Sequence, residues 1–286
     1  GVTIGDGTKI HPHSVLEGPE LSIGKECEIG PYAVLKSHTS MGDHNRIYSF
    51  ACVGAAPQDL KFKGEESRLE IGSDNTFRES VTLNRGTATG GGVTRIGNHN
   101  FLMAYVHIAH DCQIGDSVVM ANSVGLAGHV IIEDHAILGG MVGISQFIRI
   151  GTFSYTGGFS KIVRDIPPFM IASGTDASVG VRGINSIGLS RKGVDTKTIR
   201  DLKEAYKILF MTDHLAPGKR RAVQESVSKI KESSLFETPQ VKHLVQFIER
   251  SKNGIVGRYR EPEKVKDEKE DQRSRDWGGV SRDLSC

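Results

Sequence analysis

The chain has 286 residues, a formal net charge of +2 and an aromatic content of only 6%. This length allows two domains. The near-neutral charge argues against a nucleic-acid-binding protein, because affinity for a phosphate backbone comes largely from clustered Lys and Arg, and the N-terminal half has no such cluster. No apolar run approaches the roughly 18 residues that span a bilayer, so we expect a soluble protein without a transmembrane segment.

Aliphatic residues recur at every sixth position, and we call these positions the comb. A period of six fits neither an α-helix, which repeats near 3.6, nor a flat strand, which repeats at 2. It is typical of a parallel β-helix of hexapeptides, in which three hexads form a triangular coil of about 18 residues and comb residues point inward. The comb consists of Ile23, Ile29, Leu35, Met41, Ile47, Val53 and then Ile96, Leu102, Ile108, Ile114, Met120, Leu126, Ile132, Leu138, Ile144, Ile150.

The comb predicts an all-β solenoid over residues 1–174, in which residues about eighteen positions apart lie directly above one another. Two interruptions predict loop insertions near residues 54–70 and 86–95. Loops this long are usually functional. The period ends after Ile162, and Pro167-Pro168 marks the exit from the solenoid.

Residues 175–257 are predicted to form a Gly-rich connector, up to residue 194, and a small helical domain. Helical spacing of apolar residues begins at Thr196, a second helix is expected over residues 222–233, and a third starts at Thr238-Pro239, an N-cap followed by Pro at the first helical position. Residues 258–286 alternate charges with almost no aliphatic side chains, which predicts a disordered tail.

The four cysteines are Cys27, Cys52, Cys112 and Cys286. Their spacing matches neither a metal site nor a disulfide framework, so we interpret them as small core residues of a reducing compartment. Because the chain starts at Gly1 inside a hexad, we expect that an upstream segment, such as a transit peptide, has been removed.

Two histidines flank one comb residue. Ile108 points into the prism, which leaves His107 and His110 free to face outward. Stacking then places Gly128 one coil above His110, Gln146 one coil above Gly128, and His129 above a neighbouring residue, Asp111. A base, a position without a side chain and an amide aligned along one edge predict the floor of a groove.

The chain resembles the UDP-N-acetylglucosamine O-acyltransferase family from residue 1 to about residue 257. The resemblance implies a left-handed β-helix with a helical C-terminal domain, assembled as a homotrimer with active sites between neighbouring prisms. It rests on the strings Gln58-Asp59-Leu60-Lys61, Arg78-Glu79-Ser80-Val81-Thr82, His107-Ile108-Ala109-His110-Asp111-Cys112, Leu126-Ala127-Gly128-His129-Val130, Gly139-Gly140-Met141 and Asp165-Ile166-Pro167-Pro168.

The resemblance also implies a reaction. An (R)-3-hydroxyacyl group passes from the phosphopantetheine of acyl carrier protein to the 3-hydroxyl of UDP-N-acetylglucosamine, the first step of lipid A biosynthesis. His110 would be the general base, Asp111 would orient its imidazole, and the backbone N–H of Gly128 would stabilise the oxyanion. No metal and no further cofactor is implied.

Binding roles follow from the same resemblance. Asp59 would hold the sugar, with His107 and His129 close to it. Lys61 would meet the diphosphate or the acyl donor.

Three further residues, Gln146, Asn185 and Arg191, would contact the nucleotide, and the planar guanidinium of Arg191 suits phosphate. Gly158 matches the position that sets acyl-chain length, where Gly leaves room for a 3-hydroxytetradecanoyl donor.

The chain departs from the bacterial pattern of the family at Asn84 and Ser145, each of which stands where an imidazole is common. These departures put the sugar and uracil contacts in question. The charged tail, together with the missing upstream segment, suggests a plant organellar form, with the mitochondrion as the expected location and the bacterial cytoplasm as the alternative.

Acyl carrier protein is acidic, which predicts a basic docking face. The candidate residues are Arg191, Lys192, Lys197, Arg200, Lys203, Lys219, Arg220 and Arg221. A solvated helix face is the other interpretation of this cluster.

Three alternative functions remain open at this point. One is a trimeric γ-class carbonic anhydrase-like protein, with His107, His110 and either His129 or His135 as zinc ligands. Another is a non-catalytic trimeric scaffold. The third is the N-acyltransferase that acts later in lipid A assembly.

Overall fold

The computed structural model describes residues 1–174, 179–211 and 223–256. The first part is a left-handed parallel β-helix, as the comb and the resemblance predicted. Its three parallel sheets form the faces of a triangular prism. Residues eighteen apart are in register, since His107 pairs with Gly125 and Gly125 with Gly143.

The strands are short because each spans one side of the triangle. The first sheet contains β1 Val2–Ile4, β4 Leu21–Ile23, β7 Thr39–Met41, β10 Arg68–Ile71, β13 Val93–Ile96, β16 Gln113–Ile114, β19 Ile131–Ile132 and β22 Arg149–Ile150. The second contains β2 Lys9–Ile10, β5 Glu28–Ile29, β8 Arg46–Ile47, β11 Thr76–Phe77, β14 Phe101–Leu102, β17 Val119–Met120, β20 Ile137–Leu138, β23 Tyr155–Thr156, β25 Met170–Ser173 and β26 Gly180–Ile184. The third contains β3 Val15–Leu16, β6 Val34–Leu35, β9 Cys52–Ala55, β12 Thr82–Asn84, β15 His107–Ile108, β18 Gly125–Leu126, β21 Gly143–Ile144 and β24 Lys161–Ile162.

Comb residues fill the prism. Leu102, Ile108 and Leu138 are fully buried. Cys27 and Cys112 lie in the same core as free thiols, and burial raises the pKa of the Cys112 thiol to about 12. Both thiols therefore behave as the small core side chains that the sequence predicted. The prediction is wrong for Cys52, which is half-buried at an outward position of β9 beside the inward Val53. Cys286 lies outside the described residues.

The corners of the prism use a backbone conformation that the comb does not reveal. The third residue after a comb position adopts a left-handed φ, for example Asp111 at 61°, His129 at 62° and Phe147 at 65°. This conformation costs roughly 1–2 kcal/mol for a residue with a side chain. Corner side chains stack on the corner residue of the next coil, as the His129 and Phe147 rings do at 4.5 Å. The stacking offsets part of the backbone cost.

Both insertions leave the prism at one edge, which we call the site edge because it lies between the third and first sheets and carries Asp111. The first insertion follows β9 and the second follows β12, and each returns to the first sheet. A single turn of 3-10 helix, Ala88–Gly90, forms the tip of the second insertion. The two insertions therefore lie on the coils immediately preceding the coil of His110.

The C-terminal part is helical, as predicted. Its helices are α1 Ser186–Arg191, α2 Thr196–Tyr206 with a π-helical extension Lys207–Met211, α3 Val223–Lys231, a 3-10 turn Ser234–Glu237 and α4 Pro239–Glu249. The segment predicted as connector contains β26 and α1, which a search for period six cannot detect because β26 pairs antiparallel with β25. The predicted tail, residues 258–286, lies outside the described residues.

The helical part packs on the end of the prism. The side chains of Phe169 and Met170, at the start of β25, pack in the helical core. Because β25 still pairs in parallel with β23, the solenoid continues past Pro167-Pro168, which the sequence had indicated as its exit. His243 Nε2 lies 2.8 Å from Glu133 Oε2, and Arg149 stacks on the Phe247 ring at 4.1 Å. Within the described ranges, none of the helices has the length and apolar character needed to cross a bilayer.

Two neighbouring residues on β16 allow a test of whether the comb residues point into the prism. Ile114 is buried and Gln113 is exposed. Ile114→Ala should lower the free energy of unfolding by about 2–5 kcal/mol because it leaves a cavity, whereas Gln113→Ala should change it by no more than about 0.5 kcal/mol. Urea denaturation of both variants measures this difference, and equal effects would contradict the inward placement.

Candidate active site

His110 and Asp111 form a buried hydrogen-bonded pair at the site edge. The His110 Nδ1 atom lies 2.8 Å from Asp111 Oδ2, and both side chains are almost completely removed from solvent. Because an ionised carboxylate can only accept, Nδ1 carries the proton and donates it. The other ring nitrogen, Nε2, is then left with a lone pair and can act as a base.

Asp111 accepts two more hydrogen bonds, both from Thr87. The Thr87 backbone N–H donates to Oδ1 at 2.8 Å, and its hydroxyl donates to Oδ2 at 2.6 Å. The Asp111 N–H in turn donates to the Thr94 hydroxyl at 2.7 Å. A buried charge is tolerated when its oxygens are hydrogen-bonded in this way.

Gly128 lies directly against the His110 ring, as stacking predicted. A Cβ atom at position 128 would be 2.5 Å from His110 Cε1 and 2.7 Å from Nε2. Any side chain here would therefore displace the His110 imidazole. The Gly128 N–H donates to no other described residue, whereas those of Ala127 and His129 continue the hydrogen-bond ladder.

The pair opens onto a groove of about 500 Å³ along the third sheet. Its floor consists of Gly125 and Gly143, where an added Cβ would touch nothing within 4 Å. His107 lies one strand below Gly125, and Lys161 lies one strand above Gly143. The groove is lined by Gln58, His107, Ala109, His110, Gly125, Leu126, Ala127, Gly128, Gly143, Ile144, Ser145, Gln146 and Lys161.

Two further histidines border the groove and the pair. His107 Nδ1 lies 2.7 Å from the Thr82 hydroxyl, and burial, followed by the nearby His110, lowers its pKa. His129 meets the His110 ring edge-on at a centroid distance of 5.1 Å, and burial lowers its pKa despite the nearby Asp111 carboxylate. Both imidazoles are therefore largely neutral at pH 7.

The first insertion approaches the same site. Asp59 is close enough to His129 to influence its pKa, and Asp59 Oδ1 accepts the Lys61 N–H at 2.9 Å in a tight turn. Lys61 is exposed and does not line the groove. Asn84 is buried and donates through Nδ2 to the Ala56 carbonyl at 3.0 Å, which ties the insertion to the prism.

Three more predicted residues, like Lys61, do not line the groove. Asn185 caps α1, accepting the Gly188 N–H at 3.1 Å and donating to the Phe153 carbonyl at 2.9 Å. Arg191 is exposed in the last turn of α1. Gly158 is exposed near Gly140, whose carbonyl a Cβ would approach at 3.1 Å. Their binding roles stay predictions.

His110, Asp111 and His129 could supply ligand atoms within 4.8 Å of one another. Asp111 Oδ2, however, already accepts hydrogen bonds from His110 and Thr87. A metal ion on this oxygen would have to take the place of at least one of these donors. The donor set therefore fits a base and its orienting carboxylate better than the zinc site of a carbonic anhydrase.

Comparisons with known proteins identify the family of this chain. The family described as UDP N-acetylglucosamine O-acyltransferase, domain 2, matches residues 165–256, and the bacterial transferase hexapeptide family matches residues 94–128. The acyl-[acyl-carrier-protein]–UDP-N-acetylglucosamine O-acyltransferase of Thiobacillus denitrificans is 42% identical, covering 86% of this chain and 98% of the relative. The chain belongs to the UDP-N-acetylglucosamine O-acyltransferase family.

Solved structures support the family membership. The Arabidopsis UDP-N-acetylglucosamine acyltransferase matches with a TM-score of 0.83 at 34% identity, over 89% of this chain and 90% of that one. The Bacteroides fragilis enzyme matches with a TM-score of 0.82 at 34% identity, over 89% and 95% of the two chains. Membership in this family favours the O-acyltransferase interpretation over the carbonic anhydrase, the scaffold and the later N-acyltransferase.

Several residues of the site were not predicted from the sequence. Lys161 and the floor glycines, Gly125 and Gly143, could have been found, because they follow His107 at intervals of eighteen. Thr82 and Thr87 could not have been found in this way, because the insertions interrupt the eighteen-residue spacing. Thr87 is 24 residues from Asp111 in sequence and shares no periodic position with it.

The lowered pKa values of His107 and His129 predict a pH dependence. Both imidazoles should titrate below 6.5 in the folded protein and near 6.5 in urea. Because the unfolded chain then binds more protons, stability should be full above pH 6.5 and fall as pH drops below it. An NMR titration of the histidine C–H resonances measures this difference, and folded-state midpoints at or above 6.5 would contradict it.

Proposed function

We propose that the chain transfers an (R)-3-hydroxyacyl group from acyl carrier protein to the 3-hydroxyl of UDP-N-acetylglucosamine, the first step of lipid A biosynthesis. The observation that carries this proposal is the buried His110–Asp111 pair lying over Gly128 in a member of this family. The reaction needs a base, an oxyanion donor and an open groove. His110 would supply the base and the Gly128 N–H the oxyanion donor, and both residues line the groove.

The chemistry begins at His110 Nε2. The sugar hydroxyl oxygen bonds to the thioester carbonyl carbon while Nε2 takes its proton, an effect worth about 10²–10⁴ in rate. The carbonyl oxygen gains negative charge, which the Gly128 N–H would stabilise. The C=O bond then re-forms and the C–S bond breaks. The phosphopantetheine sulfur leaves with the proton that His110 returns, and the Asp111 carboxylate stabilises the transient imidazolium.

Side chains of the groove, of its border and of the first insertion would bind the substrates. The neutral imidazoles of His107 and His129 would hydrogen-bond sugar hydroxyls, with Asp59 nearby, and Gln146 would contact the nucleotide. Lys61 would meet the diphosphate or the acyl donor.

Residues of the helical domain would also contact the substrate. Asn185 and Arg191 would contact the nucleotide, and in a trimer these residues could reach the groove of a neighbouring subunit.

A homotrimer is also proposed, because one prism edge is apolar and exposed. This apolar edge lies between the second and third sheets. The side chains that define it are exposed by 50–71%: Tyr32, Phe50, Tyr105, Met141 and Phe159. Exposed apolar patches of this kind mark interaction sites. Its position beside the third sheet would place the grooves near the junctions between subunits.

Acyl carrier protein is the proposed donor partner. Five candidate docking residues are exposed in the helical part, namely Arg191, Lys192, Lys197, Arg200 and Lys203. Lys197 forms an ion pair with Asp201 at 2.8 Å, which partly neutralises the face. The other three predicted residues, Lys219, Arg220 and Arg221, lie outside the described residues.

Two finer points belong to the same proposal. Gly158 would leave room for a 3-hydroxytetradecanoyl donor, and rates with shorter donors test this assignment.

The mitochondrion stays the proposed location, while bacterial relatives such as the Thiobacillus protein fit the alternative of a bacterial cytoplasm. Fractionation of the source cells decides between the two compartments.

The decisive assay measures acyl transfer from (R)-3-hydroxytetradecanoyl carrier protein to UDP-N-acetylglucosamine. The wild-type protein should be active, and His110→Ala should lower the rate by roughly a hundredfold or more because it removes the base. No transfer by the wild type, with shorter donors and the reverse reaction also tried, would exclude the proposed activity.

Two alanine variants refine this assay. Gly128→Ala places a methyl group against the His110 ring, displaces the imidazole and should also lower the rate by about a hundredfold. Gln113→Ala, at an exposed position of β16 that does not line the groove, should leave the rate unchanged. Equal effects of the two substitutions would remove Gly128 from the mechanism.

Light scattering tests the assembly. We expect a mass near 93 kDa, three times the 31.1 kDa of one chain. The double variant Tyr105→Glu with Phe159→Glu should shift this mass toward the monomer because it charges the apolar edge. His99→Glu, at another exposed corner, is the control. A trimer that survives the double variant would place the interface elsewhere.

A further inference from the structure

Thr87 connects the second insertion to the proposed catalytic pair. Its side chain is only 2% exposed. Its backbone N–H and its hydroxyl contact different oxygens of the Asp111 carboxylate, at 2.8 and 2.6 Å respectively. One residue outside the hexapeptide pattern thus holds both carboxylate oxygens.

The direction of the Thr87 hydroxyl proton follows from its neighbours. The Gly90 N–H donates to Thr87 Oγ1 at 3.2 Å. Asp111 Oδ2 has no proton to give when ionised, so the hydroxyl proton points to it. The His110 Nδ1–H donates to the same oxygen from the other side, at 2.8 Å. The result is a directed hydrogen-bond chain from Gly90 through Thr87 to Asp111.

The insertion also fixes the carboxylate sterically. A Cβ atom at Gly90 would collide with the Asp111 carboxylate, and a Cβ at Gly86 would approach Oδ1 at 2.8 Å. Among the described residues, only Thr87 and His110 donate hydrogen bonds to this carboxylate. The prism positions the Asp111 backbone, since the Asp111 N–H donates to Thr94, but the insertion decides where the carboxylate points.

We propose that Thr87 is a positioning residue that holds the Asp111 carboxylate in the orientation that fixes the His110 ring, with Nδ1–H toward Asp111 and Nε2 toward the groove. This inference rests on the proposed function, because His110 is the base only in that reaction. Thr87 does not line the groove, and it reaches His110 only through the Asp111 carboxylate. Its effect should therefore appear in kcat, should need the hydroxyl, and should vanish when Asp111 is absent.

Two near-isosteric substitutions separate the hydroxyl from the shape of the side chain. Thr87→Val removes the hydroxyl and should lower kcat by about 10–100-fold, the range expected for a lost hydrogen bond to a charged group, with KM changed by less than about twofold. Thr87→Ser keeps the hydroxyl and should retain kcat within about threefold. Circular dichroism and thermal melting of both variants check that the fold is intact.

A double-mutant cycle tests whether Thr87 acts through Asp111. In an Asp111→Ala background, Thr87→Val should change kcat by less than about twofold, because the group it orients is gone. A multiplicative loss in that background would overturn the proposal. So would a rise in KM alone, which would indicate direct contact with substrate, or a Ser variant as impaired as the Val variant.

NMR provides a readout that does not depend on activity. The His110 Nδ1–H proton, hydrogen-bonded to Asp111, should give a downfield resonance in the wild type and in Thr87→Ser. This resonance should be absent from the spectrum of Thr87→Val. An unchanged resonance in Thr87→Val would overturn the proposal even if the transfer assay shows nothing. An inactive wild type would instead refute the proposed function, so the two failures are distinguishable.

Discussion

The constraint on which the whole molecule depends is the register of a parallel hydrogen-bond ladder between successive coils. Each coil must donate to the next, so side chains eighteen positions apart are forced into alignment, as the pairing of His107, Gly125 and Gly143 shows. The inside of the coils is filled mainly by aliphatic side chains, and truncating them leaves cavities. Function is therefore confined to the outward positions and corners, where the same register arranges residues in columns.

The candidate site combines this regular column with an irregular insertion. The column supplies His110 and the bare backbone of Gly128 one coil above it. Register alone, however, does not stabilise the buried carboxylate of Asp111, and burying an unpaired charge costs several kcal/mol. The second insertion provides the missing donors through Thr87. The regular part thus sets distances, and the irregular part sets the orientation and the electrostatics.

The groove exists because two outward positions of the third sheet carry no side chain. Most outward positions carry side chains, but Gly125 and Gly143 leave two adjacent coils bare between His107 and Lys161. An extended chain can lie against such a floor without displacing protein atoms. The apolar edge runs along the border of the same sheet, so an assembly formed through that edge would bring a second surface to the groove. The spacing between coils therefore sets the distances along the candidate site, the groove and the apolar edge.

The sequence by itself determined the solenoid, its inward comb and the alignment of His110 with Gly128, because a period of six allows one arrangement of inside and outside. It also located both insertions and the helical domain. Only the tertiary structure decided that Thr87 meets Asp111, that Asn185 caps α1, and that β25 and β26 extend the second sheet. These contacts depend on the path of segments outside the repeat, where no periodicity relates position in sequence to position in space. Local patterns specify the coils, whereas contacts between insertions and coils form only when the whole chain is folded.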